Sequence, residues 1–217
     1  MASEHCVNCV VIIFLIIGFI QVAVSSSSDP QLDALLKVFL SPSSSVNQSA
    51  KVSSETCDGK CYPEIGCTHG VANCLSVSCS DPEPLENIDT KFLFFSKNNQ
   101  YDPYIVNFTL SEDELKNVPF NPNFFTVVLV HGYDDKYTEN TSLGPIKNLY
   151  LNKMNDANII AVDWSKGASN PSYQTGKANA LVVGAQIALL MEKLDKVFGI
   201  NLGQTLFIGF SLGGQVV

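Results

Sequence analysis

Three β-branched apolar runs dominate the chain: residues 126–130 (TVVLV), 158–162 (NIIAV) and 205–208 (TLFI). They stop abruptly, at His131-Gly132, at Asp163-Trp164 and at Gly209. Runs that are apolar throughout, rather than alternating, suit strands buried on both faces, as in a parallel sheet covered by helices. Between the second and third runs, residues 177–198 carry a broad helical face of Ala178, Leu181, Val182, Ala185, Ala188, Leu189 and Leu194, and Gly199 marks its end. Strands separated by helical connections predict an α/β fold with right-handed crossovers. Upstream, residues 91–96 (KFLFFS) and 104–110 (YIVNFTL) read as further strands. Ser111 and Glu114 have capping-box spacing for a short helical turn.

The third run feeds Gly209-Phe210-Ser211-Leu212-Gly213. A G-x-S-x-G pentapeptide is weak evidence alone, but here a strand precedes it and Gly214 follows, which is the context of a nucleophile elbow. The reason is steric: residues two before and two after the serine must be small, so that strand and following helix can approach. The Ser211 hydroxyl then projects above the sheet as a nucleophile, and the backbone N–H of Leu212 faces a developing oxyanion. His131-Gly132-Tyr133 after the first run is placed to supply the second oxyanion donor, from the backbone of Tyr133. In this fold the triad runs serine, acid, histidine along the chain. His131 and Asp163 precede the serine and are therefore expected to be structural, Asp163 beside Trp164. His5 and His69 lie in segments assigned below to other roles. The residues given thus carry a nucleophile and an oxyanion hole, with no acid or base in the expected places.

The N-terminal half carries an address. Residues 9–20 are an apolar run whose helical rise, about 18 Å, falls short of the roughly 30 Å of bilayer hydrocarbon, which fits a secretory signal and gives no stable membrane span. Residues 1–25 are read as that signal, 26–56 as a Ser-rich linker or pro-segment, and 57–217 as the folded domain. Inside the linker, Leu32, Leu35, Leu36 and Phe39 share one helical face. Sequons at Asn47, Asn107 and Asn140 agree with secretion. So does the cluster Cys57, Cys61, Cys67, Cys74 and Cys79, since disulfides persist in oxidising compartments. A zinc site is disfavoured because the cluster has no repeated C-x-x-C pair, so no metal is expected. Five cysteines after the signal are an odd number, leaving one free or paired outside the chain. The net charge of −8, with every basic residue a lysine, points away from nucleic acid as a partner.

A family resemblance follows from several motifs in order. Cys61-Tyr62 with Gly66-Cys67 resembles C-Y-x-x-x-G-C, and Thr90-Lys91-Phe92-Leu93 resembles T-R-F-L. Val130-His131-Gly132-Tyr133 resembles the oxyanion segment. Val162-Asp163-Trp164 is followed by Tyr173 and by Val182-Val183-Gly184-Ala185, and Gly209 to Gly213 resembles G-H-S-L-G with Phe210 in place of histidine. From about residue 61 to 217 the chain resembles the N-terminal part of the pancreatic-type (animal) lipase family, with its insect phospholipases A1 and yolk-protein relatives. The resemblance implies an α/β-hydrolase fold, a mostly parallel sheet with helices on both faces, cut after the nucleophile elbow. It implies a Cys61–Cys67 disulfide and a secreted lipid-ester hydrolase acting at a lipid–water interface. It requires no organic cofactor; it admits calcium, for which the sequence offers no site. Oligomeric state is not legible. The family's acid and histidine, its lid and its C-terminal sandwich lie beyond residue 217, so the chain is expected to be a fragment whose nucleophile strand forms an exposed apolar edge. The alternative is a non-catalytic lipid-binding or yolk-type storage relative, against which Ser211 argues.

Overall fold

The computed structural model describes residues 20–24, 59–68, 71–72, 79–154 and 156–217. The linker with its helix candidate, Asn47, His5, His69, Cys57 and Cys74 lie outside the described residues. In chain order the strands are β1 (Ile20–Val24), β2 (Lys60–Tyr62), β3 (Gly66–Thr68), β4 (Val71–Ala72), β5 (Cys79–Ser80), β6 (Lys91–Phe95), β7 (Tyr104–Asn107), β8 (Phe125–Val130), β9 (Ala157–Asp163) and β10 (Thr205–Phe210). The helices are α1 (Leu85–Ile88), α2 (Glu112–Leu115), α3 (Leu143–Lys153), α4 (Ser165–Ala168) and α5 (Tyr173–Phe198), with a closing 3-10 helix at Ser211–Gln215.

The three apolar runs become β8, β9 and β10, side by side in a six-stranded sheet of order β1-β10-β8-β9-β6-β7. β8 pairs in parallel with both β9 and β10. Val127, Val128, Leu129, Val130, Ile159, Ile160, Ala161 and Val162 are all buried, which is why the sequence has no polar alternation there. The chain crosses from β8 to β9 in one direction and from β9 past β8 to β10 in the other. With crossover handedness fixed, the two connecting helices must land on opposite faces. They do: Leu143 and Leu151 of α3 pack with Leu93, Val127, Leu129 and Ile159, whereas Val183, Ile187 and Leu190 of α5 pack with Phe92, Val128, Val130 and Ile160.

The α/β-hydrolase architecture with helices on both faces is as expected, but the parallel part is confined to these three strands. β6 joins β9 antiparallel, β7 joins β6 antiparallel, and β1 joins β10 antiparallel, so the sheet is mixed. The expected bare edge on the nucleophile strand is corrected by β1. Residues Ile20 to Val24, the end of the segment read as a signal, pair with Phe210 to Leu206 and occupy the outer ladder of β10.

The expected helix starts earlier than its apolar pattern, because the Ser172 hydroxyl accepts the Thr175 N–H at 3.3 Å and caps the first turn. It ends where expected, with Gly199 at φ +66°. The capping box at Ser111 is formed: Ser111 Oγ accepts the Glu114 N–H at 3.3 Å, and Glu114 Oε2 accepts the Ser111 N–H at 2.9 Å. Cys61 and Cys67 face each other across β2 and β3 and are disulfide-bonded. Cys79 is also in a disulfide.

Helix α3 was not visible in the pattern, because its apolar stripe is interrupted by Lys147, whose side chain is completely buried. Its ammonium donates to Glu139 Oε1 at 2.6 Å and to the Gln100 carbonyl, and lies 4.6 Å from the Phe95 ring centroid. Burial alone pushes the Glu139 carboxyl up, but hydrogen bonds from Lys147 and Asn148 outweigh it and hold the group below its ordinary value. A depressed carboxylate contributes stability above the ordinary carboxylate range and loses it as pH falls through the folded value. Lys147→Met is therefore expected to lower stability by about 2 kcal/mol at neutral pH, less than for a fully enclosed pair because Glu139 stays partly wet. Urea unfolding at pH 7 and pH 3 should show the gap between the two proteins narrowing in acid.

Candidate active site

The site lies where the C-terminal ends of β8 and β10 meet. These neighbouring parallel strands lead away to opposite sides of the sheet: β8 toward α3, β10 into the 3-10 helix packed on α5. A crevice is left at such a switch point, and ligands of open α/β sheets bind there.

Ser211 is the residue after β10 and begins the 3-10 helix. Its φ is +54°, in the left-handed region where L side chains are strained by about 1–3 kcal/mol. It is exposed, while Leu212, Gly213 and Gly214 after it are buried. This is the strand–turn–helix geometry expected of a nucleophile elbow. The glycines explain how it fits. A Cβ on Gly209 would meet the backbone of Gly213 and lie 2.5 Å from Gly214 N. A Cβ on Gly213 would meet the carbonyl of Val130 and lie 2.6 Å from that of His131.

The oxyanion segment presses on the elbow from the side. A Cβ on Gly132 would lie 2.9 Å from Ser211 Cβ and 3.5 Å from Leu212 N. Gly132 thus passes against the serine and close to the Leu212 amide, and Tyr133 follows it in the chain. The structure brings together all three expected residues: Ser211, Leu212 and Tyr133. Beyond Gly132 the chain is tied down again, since the Asp134 N–H donates to the Ala168 carbonyl at 3.0 Å, with Asp134 at φ +52°.

His131 is structural, as expected from its place in the chain, and completely buried. Its ring stacks on Trp164, with centroids 5.5 Å apart. Nδ1 lies 3.0 Å from the Gly132 carbonyl, which can only accept, so Nδ1 carries the proton. Nε2 accepts the Trp164 backbone N–H at 3.0 Å, and the Trp164 indole N–H donates to the His131 carbonyl at 2.9 Å. Asp163 Oδ1 stands 3.4 Å from Nε2, but that lone pair is already used. Asp163 instead accepts the Ser165 N–H at 3.0 Å. His131 is the sole histidine among the described residues.

Among the described residues, no group of three or more His, Cys, Asp or Glu side chains is placed to hold a metal ion, and no helix is long and apolar enough to cross a membrane. Asn107, at the end of β7, and Asn140 are both exposed. The sequence reading did not find the surroundings of the Tyr133 side chain, which involve Asn170, Tyr173 and Gly176. The i, i+3 spacing of Tyr173 and Gly176 was an available signal, since it puts an aromatic and a gap on one helical face.

A strained serine between a parallel strand and a helix, with a glycine-lined backbone segment against it, defines an α/β-hydrolase elbow. Comparison with known proteins gives the family: residues 59–217 match the family model described as Lipase. The chain belongs to the lipase family, pancreatic type. It is similar to mouse pancreatic triacylglycerol lipase, at 33% identity over 129 residues, 59% of this chain and 27% of that one. It is also similar to the dog inactive pancreatic lipase-related protein 1, at 32% over 162 residues, 72% and 33% of the two chains. To human pancreatic triacylglycerol lipase it is 29% identical over 159 residues, 71% and 33% of the two chains. The chain thus spans about a third of the length of the relatives it matches.

The glycine geometry ranks substitutions. Gly213→Ala is expected to prevent stable folding, since backbone atoms must move, whereas Gly199→Ala, with open space around it, should cost only about 1–2 kcal/mol for its positive φ. Ser211→Gly, which relieves the turn, should unfold at higher urea than Ser211→Ala by about 1 kcal/mol.

Proposed function

We propose that the protein is a secreted serine hydrolase of lipid carboxylic esters, and that these residues supply its nucleophile and oxyanion hole. The reading rests on one observation: an exposed Ser211 held at φ +54° with Gly132 packed against it. A strained backbone at an exposed nucleophile is costly, and such strain persists where function needs it.

In the proposed reaction Ser211 Oγ attacks the ester carbonyl carbon. A histidine, oriented by an acid, takes the hydroxyl proton; in this fold both follow the serine along the chain. The carbonyl π pair moves to oxygen, and the N–H groups of Leu212 and Tyr133 donate to that oxyanion. When it collapses, the alcohol departs with the proton and leaves an acyl-serine. Water, deprotonated by the same histidine, attacks the acyl carbon and releases the carboxylic acid, restoring the serine. Chain steps need no redox or organic cofactor. The substrate class is a triacylglycerol or a phospholipid cleaved at its first acyl position. Similarity to pancreatic triacylglycerol lipases favours the first.

Inactive relatives exist, so family membership alone leaves a storage or binding role open. Ser211 and its geometry favour catalysis. The test is fluorophosphonate labelling of the full-length secreted protein: Ser211 Oγ displaces fluoride from phosphorus and stays attached. Labelling of the wild type and none of Ser211→Ala is expected, together with fatty-acid release from a triacylglycerol emulsion. An unlabelled, properly folded wild type would establish the non-catalytic reading.

Secretion and glycosylation belong to the same proposal. Protein recovered from the culture medium should begin after about residue 25, and amidase deglycosylation should convert Asn107 and Asn140 to aspartate. Intact asparagine at both positions would remove that part of the reading.

A further inference from the structure

The oxyanion segment is fixed from two directions, one of which involves a side chain. Gly132 rests on the elbow through backbone contacts. Tyr133 reaches the other way: its hydroxyl donates to the Asn170 carbonyl at 2.5 Å. Its ring meets Tyr173 edge to face, with centroids 4.9 Å apart and planes at 84°. Gly176 leaves just enough room for it, since a Cβ there would lie 2.9 Å from Tyr133 Cδ2 and 3.0 Å from Cε2. Asn170 is itself braced, its Oδ1 accepting the Ser172 N–H at 2.9 Å where α5 begins. Asp134 is held to Ala168 on the same loop.

We infer that the Tyr133 side chain is a positioning element for the oxyanion hole: its hydroxyl and ring fasten the Tyr133 backbone N–H to the loop before α5, so that this donor is aimed before substrate arrives. The inference rests on the hydrolase reading above. A backbone N–H has no freedom to re-aim itself, since its direction follows from the φ and ψ of its own segment. The segment here has two glycine-free anchors, the Asp134–Ala168 hydrogen bond and the Tyr133–Asn170 hydrogen bond, on either side of a one-residue step. Removing the second leaves Tyr133 held through the Gly132 backbone contacts and the Asp134–Ala168 bond. Preorganised donors accelerate the step in which charge develops and have little effect on ground-state binding. The side chain therefore acts on kcat and on phosphonylation rate rather than on KM.

Two variants perturb the clamp by independent means. Tyr133→Phe removes the hydroxyl and keeps the ring against Gly176 and Tyr173. Gly176→Ala keeps the hydroxyl and pushes on the ring. A third, Ser111→Ala, removes the capping box of α2 near the other end of α5 and controls for lost stability. In the full-length protein both clamp variants are expected to react with a fluorophosphonate about tenfold more slowly than wild type, with kcat falling by the same factor and KM little changed. Ser111→Ala should lower the melting temperature without slowing the labelling. The inference is overturned if wild type labels and Tyr133→Phe labels as fast, or if Ser111→Ala, at a similar loss of stability, slows labelling as much as the clamp variants do. A wild type that does not label overturns the hydrolase reading itself, and is distinguished by that single measurement.

Discussion

Three backbone segments touch at the centre of this fold with no side chain between them. Gly132 lies on the elbow, Gly209 lies under Gly213 and Gly214, and Gly213 lies on the carbonyls that end β8. A single added methyl at any of these would open the turn. The strain at Ser211, about 1–3 kcal/mol, is sustained because the turn is locked into the core on its far side. Leu212 and Val216 are buried with α5, and one buried aliphatic side chain contributes about 1.5–3 kcal/mol. Burial of the residues after the serine is therefore large enough to hold the serine in a conformation it would not choose.

The position of that junction follows from topology. β8 and β10 are neighbours, but the chain reaches one from the other only through β9 and α5. Opposite crossover directions with one handedness send α3 and α5 to opposite faces, and Ser211 stands at the switch point between their departures. The strand that leads into Ser211, β10, is held along one edge by its parallel ladder to β8. That ladder gives the elbow a fixed base, and the strain is concentrated in the single residue beyond it.

Much of this was legible because it follows local rules. β8, β9 and β10 were readable from apolar runs, α5 from its face, and the tight turn at Ser211 from a motif that is at root a steric requirement. The rest depends on partners distant in sequence. Lys147 looks like a surface residue and hides α3, yet it is buried because Gln100, Glu139 and the Phe95 ring surround its ammonium. The pairing of Ile20 to Val24 with β10 joins segments more than 180 residues apart, a separation no local rule spans. The ring of Tyr133 meets its hydrogen-bond acceptor 37 residues away, which no local pattern encodes.

His131 illustrates why position in the chain was the better guide than residue type. A histidine one step from the oxyanion glycine, with an aspartate within 3.4 Å, has the look of a base and its orienter. Both ring nitrogens are nevertheless committed to backbone groups, Nδ1 to the Gly132 carbonyl and Nε2 to the Trp164 N–H, and the side chain is completely buried. The Nε2 lone pair is occupied by the Trp164 N–H, a bond that joins the ends of β8 and β9, and so is not offered to a hydroxyl. The residue that holds the oxyanion segment in place therefore cannot also serve the nucleophile. Under the hydrolase reading proposed above, a base for Ser211 would be a residue other than this one, on the exposed side of the elbow.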